Sequence, residues 1–285
     1  MPYDPTEFIG EVLGRPAAKG FDPGTQDYQC PFIGSRCVKR SAKLGTEPYP
    51  VCSIRRKIDG APRQICVCPK RFYAIDFLAD VVARCWPGDA PPTNPQIARE
   101  VKMTGFGNVD FVIADVAKRG EISQFLSVEL QAIDITGSVM PVYESLRAGE
   151  NVEKRPTYGL NWGNVYKRYI TQLIRKGYFH HHWGAKIVAV MQDAVYKYVV
   201  DWADFMRSDD VRGSTVNIIF MTYRFEDDPA NPGARHLVIN QVEGTSHANL
   251  QQAVLYKEAP KRDAFCERIK HSLARNVTPV SLEDF

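Results

Sequence analysis

Five cysteines lie within only 39 residues, and this clustering constrains the fold more than any other feature of the sequence. They are Cys30, Cys37, Cys52, Cys66 and Cys68, in a chain with seven cysteines in total. The first residues contain neither a basic segment nor an apolar run, so no signal peptide is predicted and the chain is expected to be cytoplasmic. Because the cytoplasm keeps thiols reduced, the cluster predicts a metal site rather than a disulfide framework.

A tetrahedral site needs four ligands, and this segment offers five thiols. Cys30, Cys37 and Cys52 are well separated in turn-rich stretches, so each can approach an ion from a different direction. The fourth ligand is either Cys66 or Cys68, which share a face if residues 65–68 are extended. The segment is interrupted by proline and glycine, so we expect short elements, little core of its own and a structural role for the metal. An all-thiolate site suits iron and Zn²⁺ alike.

The same segment is strongly basic. Between Cys30 and Phe72 there are ten Lys or Arg, Lys43, Arg55 and Arg56 among them, against two acidic residues. This local charge of +8 stands in a chain whose net charge is only +3. It predicts contact with a nucleic-acid backbone, with a merely solvated cationic surface as the alternative.

Composition and periodicity predict a globular α/β chain. Apolar residues make up 44% and charged residues 24%, and no apolar run approaches the roughly 18 residues of a membrane span, so no membrane partner is expected. The patterns predict helices and strands in the following order: a helix over 71–84, strands over 99–104, 109–115 and 124–131, a helix over 164–176, strands over 186–192 and 216–223, and a helical stretch over 248–275 broken at Pro260. This order indicates a mixed sheet flanked by helices.

Acidic side chains interrupt two of these apolar strands. In the strand over 124–131, alternation places Glu129 and Gln131 on the same face. Asp110 lies in the preceding strand between Val109 and Phe111, and a hairpin can bring Asp110 beside Glu129. Two adjacent carboxylates repel each other unless a cation lies between them, and Mg²⁺ prefers such oxygen ligands. The alternative is that both are exposed residues of an edge hairpin.

These motifs together resemble a known family. The segment 107–112 (Gly-Asn-Val-Asp-Phe-Val), followed by Val-Glu-Leu-Gln-Ala over 128–132, resembles the PD-(D/E)XK nuclease core in its glutamine variant. The upstream cysteine motifs, ending in Cys-Pro-Lys-Arg-Phe over 68–72, resemble the NotI-type restriction endonucleases. The resemblance covers about residues 30–135. It implies a homodimeric type II endonuclease that depends on Mg²⁺, contains a four-cysteine iron site and cuts a GC-rich palindrome in double-stranded DNA.

The resemblance also assigns roles to individual residues. Asp110 and Glu129 match the Mg²⁺ ligands, and Gln131 stands where the general motif has lysine. Glu100 matches an upstream acid of the family, although an exposed glutamate at a strand edge is the alternative. Cys68 best matches the last cysteine motif, so the expected metal ligands are Cys30, Cys37, Cys52 and Cys68, with iron favoured over Zn²⁺.

Candidate DNA contacts lie on the helix over 164–176 and just before it. Its apolar face is predicted to contain Tyr166, Ile170, Leu173 and Ile174. Arg168 and Gln172 lie on the opposite face and could reach DNA, or could simply be solvated. Asn161 could enter a groove or form a turn, and Arg55 and Arg56 could contact phosphates.

The sequence thus predicts an α/β fold: a PD-(D/E)XK restriction-endonuclease-like core, with a mixed central sheet flanked by helices, that follows an N-terminal cysteine-metal module. The predicted division is 1–70 for the basic, DNA-contacting module and 71–285 for the nuclease core with a C-terminal helical region. The predicted function is that of a type II restriction endonuclease. The alternatives are a structure-selective repair nuclease and a metal-stapled DNA-binding regulator whose nuclease site has decayed.

Overall fold

The computed structural model describes residues 2–40, 45, 47–88, 90–257, 259 and 261–275, so Lys43 and the predicted break at Pro260 lie outside the described residues. The strands are β1 (Ile9–Val12), β2 (Arg15–Pro16), β3 (Gln29–Cys30), β4 (Ser35–Arg36), β5 (Val51–Ile58), β6 (Ala61–Cys66), β7 (Pro95–Met103), β8 (Gly107–Val116), β9 (Ile122–Gln131), β10 (Ile135–Thr136), β11 (Gly159–Leu160), β12 (Lys186–Gln192), β13 (Ile218–Asp227) and β14 (Arg235–Thr245).

The helices are α1 (Phe77–Cys85), α2 (Met140–Ala148), α3 (Trp162–Asn164), α4 (Thr171–His182), α5 (Asp193–Trp202), α6 (His247–Leu255) and α7 (Arg262–Arg275). A π-helical segment, Val165–Ile170, joins α3 to α4 in one continuous helix. Short 3₁₀ helices occupy Pro5–Glu7, Pro23–Gln26 and Pro69–Ala74. Among the helices that the structure describes, none is long and apolar enough to cross a membrane.

A six-stranded mixed sheet organises the fold, in the order β14-β13-β12-β9-β8-β7. The strand β12 pairs in parallel with both β9 and β13, and the other pairs of this sheet are antiparallel. Alternate residues of β12 enter two different cores: Ile187 and Ala189 pack with α4 and α5 side chains, whereas Val188 and Val190 pack with α1. The predicted α/β architecture with a mixed sheet between helices is confirmed.

The ends of the predicted strands lie no more than four residues from those of β7, β8, β9, β12 and β13, and the prediction for β12 matches at both ends. The predicted helix over 71–84 is instead a 3₁₀ helix followed by α1, which begins at Phe77 where the Asp76 carboxylate accepts a hydrogen bond from the Ala79 amide. The long strand β14 was not predicted, because Leu237, Val238 and Ile239 are consecutive and an irregularity in its pairing with β13 shifts the alternation.

The expectation of short elements and little core in the cysteine segment is wrong. The strands β5 and β6 form a hairpin within a four-stranded sheet of order β2-β1-β5-β6. Val51, Ile54 and Ile65 are fully buried and belong to the same hydrophobic cluster as Ile187 of the large sheet. Residues before and after position 70 therefore share one core, and the exact domain division stays a prediction.

A buried ion pair fastens the small sheet to the large one. The Arg71 guanidinium donates to both carboxylate oxygens of Glu11 at 3.0–3.2 Å, and their side chains are 5% and 3% exposed. Arg71 also donates to the carbonyl of Arg235 in β14 at 2.7 Å. Its guanidinium lies about 5.2 Å from the ring centroids of both Phe32 and Phe225. This one side chain therefore connects β1, the cysteine-rich segment and β14.

Neutralising Glu11 should destabilise the whole fold. In Glu11→Gln the Arg71 charge stays buried without its partner, and we expect the free energy of unfolding to fall by about 3–5 kcal/mol. Urea denaturation measures the change. Lys197→Ala, which removes an exposed pair with Asp201, is the control and should change the free energy by less than about 0.5 kcal/mol. Equal stabilities of Glu11→Gln and the wild type would contradict the ion pair's role.

Candidate functional site

Three carboxylates lie at the same level on three adjacent strands. The register Phe111↔Val128 brings Asp110 beside Glu129 one position further along, and β7 places Glu100 opposite Asp110 on the other side. The Asp110 carboxylate accepts a hydrogen bond from the Leu130 amide at 2.7 Å. Asp110 and Glu129 are half-buried and Glu100 is exposed. The hairpin thus places a pair of carboxylates side by side, with a third on the edge strand.

Glu100 has an unusual backbone conformation. Its φ is 52°, in the left-handed region that residues other than glycine seldom occupy, and it lies between the regular pairs Arg99↔Phe111 and Val101↔Val109. Such strain is uncommon within a strand and recurs at functional sites. The Asn108 amide donates to the Glu100 carboxylate at 3.5 Å, a long contact that leaves its side chain free to move.

A cavity of about 260 Å³ opens over the carboxylate pair. The ends of β8 and β9 form its floor with Asp110, Glu129 and Gln131. One wall is formed by the continuous helix of α3, the π-helical segment and α4, through Asn164, Arg168, Tyr169 and Gln172. Val67 and Pro69, on either side of Cys68, form another wall. The catalytic candidates Asp110, Glu129 and Gln131 therefore share one cavity with two of the candidate DNA contacts, while Glu100 is not part of its lining.

The electrostatics of the cavity disfavour ionised carboxylates. Burial raises the pKa of Glu129 to about 7, with the charges of Asp110 and Glu100 contributing in the same direction. Burial also raises the pKa of Asp110, and Glu100 raises it further. Opposing these effects, Lys176 lowers both pKa values and Lys70 lowers that of Asp110. A bound cation would relieve the remaining repulsion.

Sequence reasoning missed Lys176, the closest cation to the carboxylate pair. Its ammonium donates to the Glu129 carboxylate and to the Asn108 carbonyl. The signal was present in the sequence: Lys176 follows Leu173 by three residues and precedes His180 by four, so it lies on the buried face of α4. A lysine there must find a partner, because an unpaired buried charge is costly.

Two further side chains complete the cavity. The Gln131 side-chain amide donates to the carbonyl of its neighbour Ala132. Tyr169 is buried close enough to Glu129 and Asp110 for both to raise its pKa, although burial is the largest cause. Its hydroxyl has no hydrogen-bond partner among the described residues. The predicted apolar face of this helix contained Tyr166, which is in fact half-buried, because the π-helical turn rotates Val165 and Tyr169 inward.

The five candidate DNA contacts separate into two groups. Arg168 and Gln172 are exposed and line the cavity. The other three lie outside its lining. Asn161 caps α3 by accepting a hydrogen bond from the Asn164 amide at 3.1 Å. Arg55 and Arg56 lie on β5. Arg55 donates to the Thr6 carbonyl and Arg56 to the Tyr158 carbonyl, so both side chains bind backbone of the protein itself.

The cysteine candidates lie on or beside four different elements. Cys30 ends β3, Cys37 follows β4, Cys52 lies in β5 and Cys68 precedes the 3₁₀ helix at Pro69. Burial raises the pKa of both the Cys37 and the Cys52 thiols. Cys66 is almost fully buried in the cluster that contains Phe72; its thiol donates to the Cys68 carbonyl at 3.1 Å, and burial raises its pKa to about 12.

A half-buried lysine that sequence reasoning missed lies beside two of these cysteines. The Lys39 ammonium donates to the carbonyls of Val51 and Val67, at 2.7 and 2.9 Å. These two residues immediately precede Cys52 and Cys68, so Lys39 fixes the backbone from which both thiols extend. Within the described part of the chain, no three His, Cys, Asp or Glu side chains are grouped closely enough to hold a metal ion as they stand. The donor types fit a metal, but the ligands are not preassembled.

Comparison with known proteins identifies the class. The sequence model of the restriction endonuclease NotI family matches residues 22–237, which includes the cysteine segment, the large sheet up to the start of β14 and every residue of the cavity. A search of curated proteins returns no match. The chain is a site-specific deoxyribonuclease, a class whose substrate is DNA. It belongs to the NotI restriction endonuclease family.

Proposed function

We propose that this restriction endonuclease is a cytoplasmic homodimer with a PD-(D/E)XK-type site that makes Mg²⁺-dependent double-strand cuts at a GC-rich palindrome. The observation that carries the proposal is the cavity in which Asp110, Glu129 and Gln131 face Arg168 and Gln172. Paired half-buried carboxylates, each with its pKa raised by burial, form a donor set suited to a hard divalent cation. A protein with two-fold symmetry naturally matches a palindromic site.

The proposal assigns a role to five of the residues that line the cavity. Asp110 and Glu129 would hold Mg²⁺, with remaining ligands from the DNA phosphate and water. When bound, the ion supplies Lewis-acid stabilisation of the phosphate and lowers the pKa of water. Gln131 has no charge at neutral pH, so its amide can only orient a water molecule. Arg168 would pair with a backbone phosphate, and Gln172 would approach a base edge.

Incubation of the purified protein with plasmid DNA tests the proposal. Discrete fragments in Mg²⁺, absent in a chelator, support site-specific cleavage. Selective nicking of branched or mismatched DNA would instead indicate a repair nuclease. Tight binding without any cleavage would indicate a DNA-binding regulator with a decayed site. Sites selected by binding should be symmetric about their centre, and an asymmetric consensus would contradict the dimer.

Cleavage should depend on the ionisation of Glu129. Its pKa of about 7 in the folded chain lies above the usual value for glutamate, so the protonated form predominates below pH 7. Only the carboxylate binds a cation, and we expect the rate at subsaturating Mg²⁺ to fall about tenfold per unit as pH falls below about 7. The free energy of unfolding of the metal-free protein should change in the opposite direction. It should fall as pH rises from about 4.5 to 7, because ionisation of the Glu129 carboxyl is less favourable in the folded chain than in the unfolded chain.

Single-turnover cleavage over about pH 5.5–8.5 measures this dependence. DNA affinity without a divalent ion, measured over the same range, is the control and should vary far less. A flat rate profile across this range would contradict a cation ligand whose pKa is raised by burial.

We also propose that Cys30, Cys37, Cys52 and Cys68 bind a structural iron ion, with Zn²⁺ as the alternative. Support comes from the four thiol donors and from Lys39, which anchors the backbone beside Cys52 and Cys68. Neutral Cys52 donates its thiol proton to the Pro50 carbonyl at 3.5 Å, and metal binding would replace this contact as the thiol ionises.

A further inference from the structure

Lys176 is a buried lysine that contacts one of the two proposed cation ligands. Its side chain is 5% exposed, on the face of α4 that packs against the large sheet. The two acceptors of its ammonium are the Glu129 carboxylate and the Asn108 carbonyl at 2.6 Å. One end of β8 and the functional end of β9 are therefore held by the same cation.

The surrounding contacts fix where this ammonium can lie. The carbonyl of Lys176 accepts a hydrogen bond from His180 Nδ1 at 2.7 Å, and His180 Nε2 accepts one from the Ser127 hydroxyl at 2.7 Å. Ser127 is two residues before Glu129 on β9, so the helix is tied to the strand that carries the carboxylate. Burial lowers the pKa of His180 to about 4, which keeps the imidazole neutral and able to make both contacts.

The next residue, Gly177, permits this close approach of helix and sheet. A Cβ atom at Gly177 would lie 2.7 Å from the side chain of Ile218 in β13, too close for any other residue without movement. Glycine in a helix interior costs roughly 1 kcal/mol relative to alanine. Its presence beside Lys176 indicates that the distance between α4 and the sheet matters at this point.

The charges of the site explain why an ammonium is needed beside Glu129. When all three are ionised, as cation binding requires of Asp110 and Glu129, the carboxylates of Asp110, Glu129 and Glu100 contribute three negative charges at one level of the sheet, and a divalent cation neutralises two of them. Gln131 lines the same cavity but contributes no charge. The Lys176 ammonium is the cation in direct contact with a carboxylate of the group, and it holds one oxygen, Oε1, while leaving Oε2 available.

We propose that Lys176 is a positioning residue of the nuclease site: it orients the Glu129 carboxylate toward the cation and supplies, from helix α4, the positive charge that position 131 lacks. The inference rests on the proposed Mg²⁺-dependent cleavage. It predicts that the required charge can be moved back to the strand, because residue 131 follows Glu129 by two positions on the same face and lines the same cavity.

Transposing the lysine tests the proposal. We expect Lys176→Met to lower the single-turnover cleavage rate by about 10²-fold, with DNA affinity in Ca²⁺ nearly unchanged. We expect Mn²⁺, followed by its electron paramagnetic resonance signal, to bind about tenfold more weakly because Glu129 loses its partner. Adding Gln131→Lys to Lys176→Met should recover at least about tenfold in both rate and Mn²⁺ affinity. Gln131→Lys alone should give no gain, since it places a second ammonium beside Lys176.

A second buried lysine serves as a control for the general effect of removing a buried ammonium. Lys186 is also buried, and it donates to the carbonyls of Val211, Gly213 and Val216 at 2.8–3.0 Å, away from the cavity. Lys186→Met should leave the cleavage rate of the folded protein unchanged. If Lys176→Met does not fold, Lys176→Gln and the Gln131→Lys, Lys176→Met double variant carry the same comparison.

The outcomes distinguish failure of the proposed cleavage function from failure of the proposed role of Lys176. Failure of the wild type to cleave in Mg²⁺ would reject the proposed function. Wild-type cleavage together with a fully active Lys176→Met protein would reject the role of Lys176. A defect in Lys176→Met that Gln131→Lys does not relieve, in rate or in Mn²⁺ affinity, would also reject it, since the role would then be structural.

Discussion

Replacing Asp110 with asparagine should reduce DNA cleavage by about three orders of magnitude or more, because the change removes an anionic ligand from the proposed cation site. The fold should tolerate it. The Asp110 carboxylate accepts a hydrogen bond from the Leu130 amide at 2.7 Å, and the oxygen of an asparagine amide can accept the same bond. Single-turnover cleavage at saturating Mg²⁺ measures the loss.

The same strand offers a matched control. Asp115 lies five residues along β8, is half-buried and accepts a hydrogen bond from the Asn94 amide at 2.7 Å, outside the cavity. Asp115→Asn should cleave at the wild-type rate. DNA binding by Asp110→Asn should be retained or improved, because one negative charge near the phosphates is removed. Wild-type cleavage by Asp110→Asn would reject the assignment of the site.

The centre of the large sheet could be predicted because β8, β9, β12 and β13 contain long apolar stretches. Burial on both faces makes β12 an unbroken apolar run, and the carboxylates Asp110 and Glu129 stand out against the apolar residues of β8 and β9. Antiparallel pairing then requires the two residues to be neighbours. The mixed sheet and the carboxylate pair are therefore properties of local pattern and simple pairing rules.

The missed features depend on contacts between distant parts of the chain. Lys176 belongs to the site because α4 packs over β9, a tertiary contact that helical periodicity does not reveal. The π-helical turn at Val165–Ile170 changes which side chains face inward, and no composition signal marked it. The N-terminal hairpin was masked by turn residues at its flanks, and its buried residues, 51–54 in β5 and 64–66 in β6, are runs too short to indicate long strands.

The cysteine site gives the second large expected effect. We expect the purified wild type to contain about one metal ion per chain, Cys66→Ser to retain it and Cys68→Ser to lose it. The physical reason is the different setting of the two thiols. Cys68 is half-buried directly before the 3₁₀ helix at Pro69, and Lys39 holds the carbonyl of the preceding Val67, whereas the Cys66 thiol is buried in the cluster that contains Phe72 and donates to the Cys68 carbonyl.

Metal content by elemental analysis decides between the two cysteines, and the absorption spectrum separates iron thiolate from colourless Zn²⁺. Because Val67 and Pro69 line the active-site cavity on either side of Cys68, loss of the metal should also reduce cleavage. The Arg71–Glu11 pair and the shared core should keep the large sheet folded, so near-native far-ultraviolet circular dichroism is expected for Cys68→Ser. Full metal occupancy in Cys68→Ser with loss in Cys66→Ser would reverse the assignment, and an equal loss in both would make Cys66 a ligand as well.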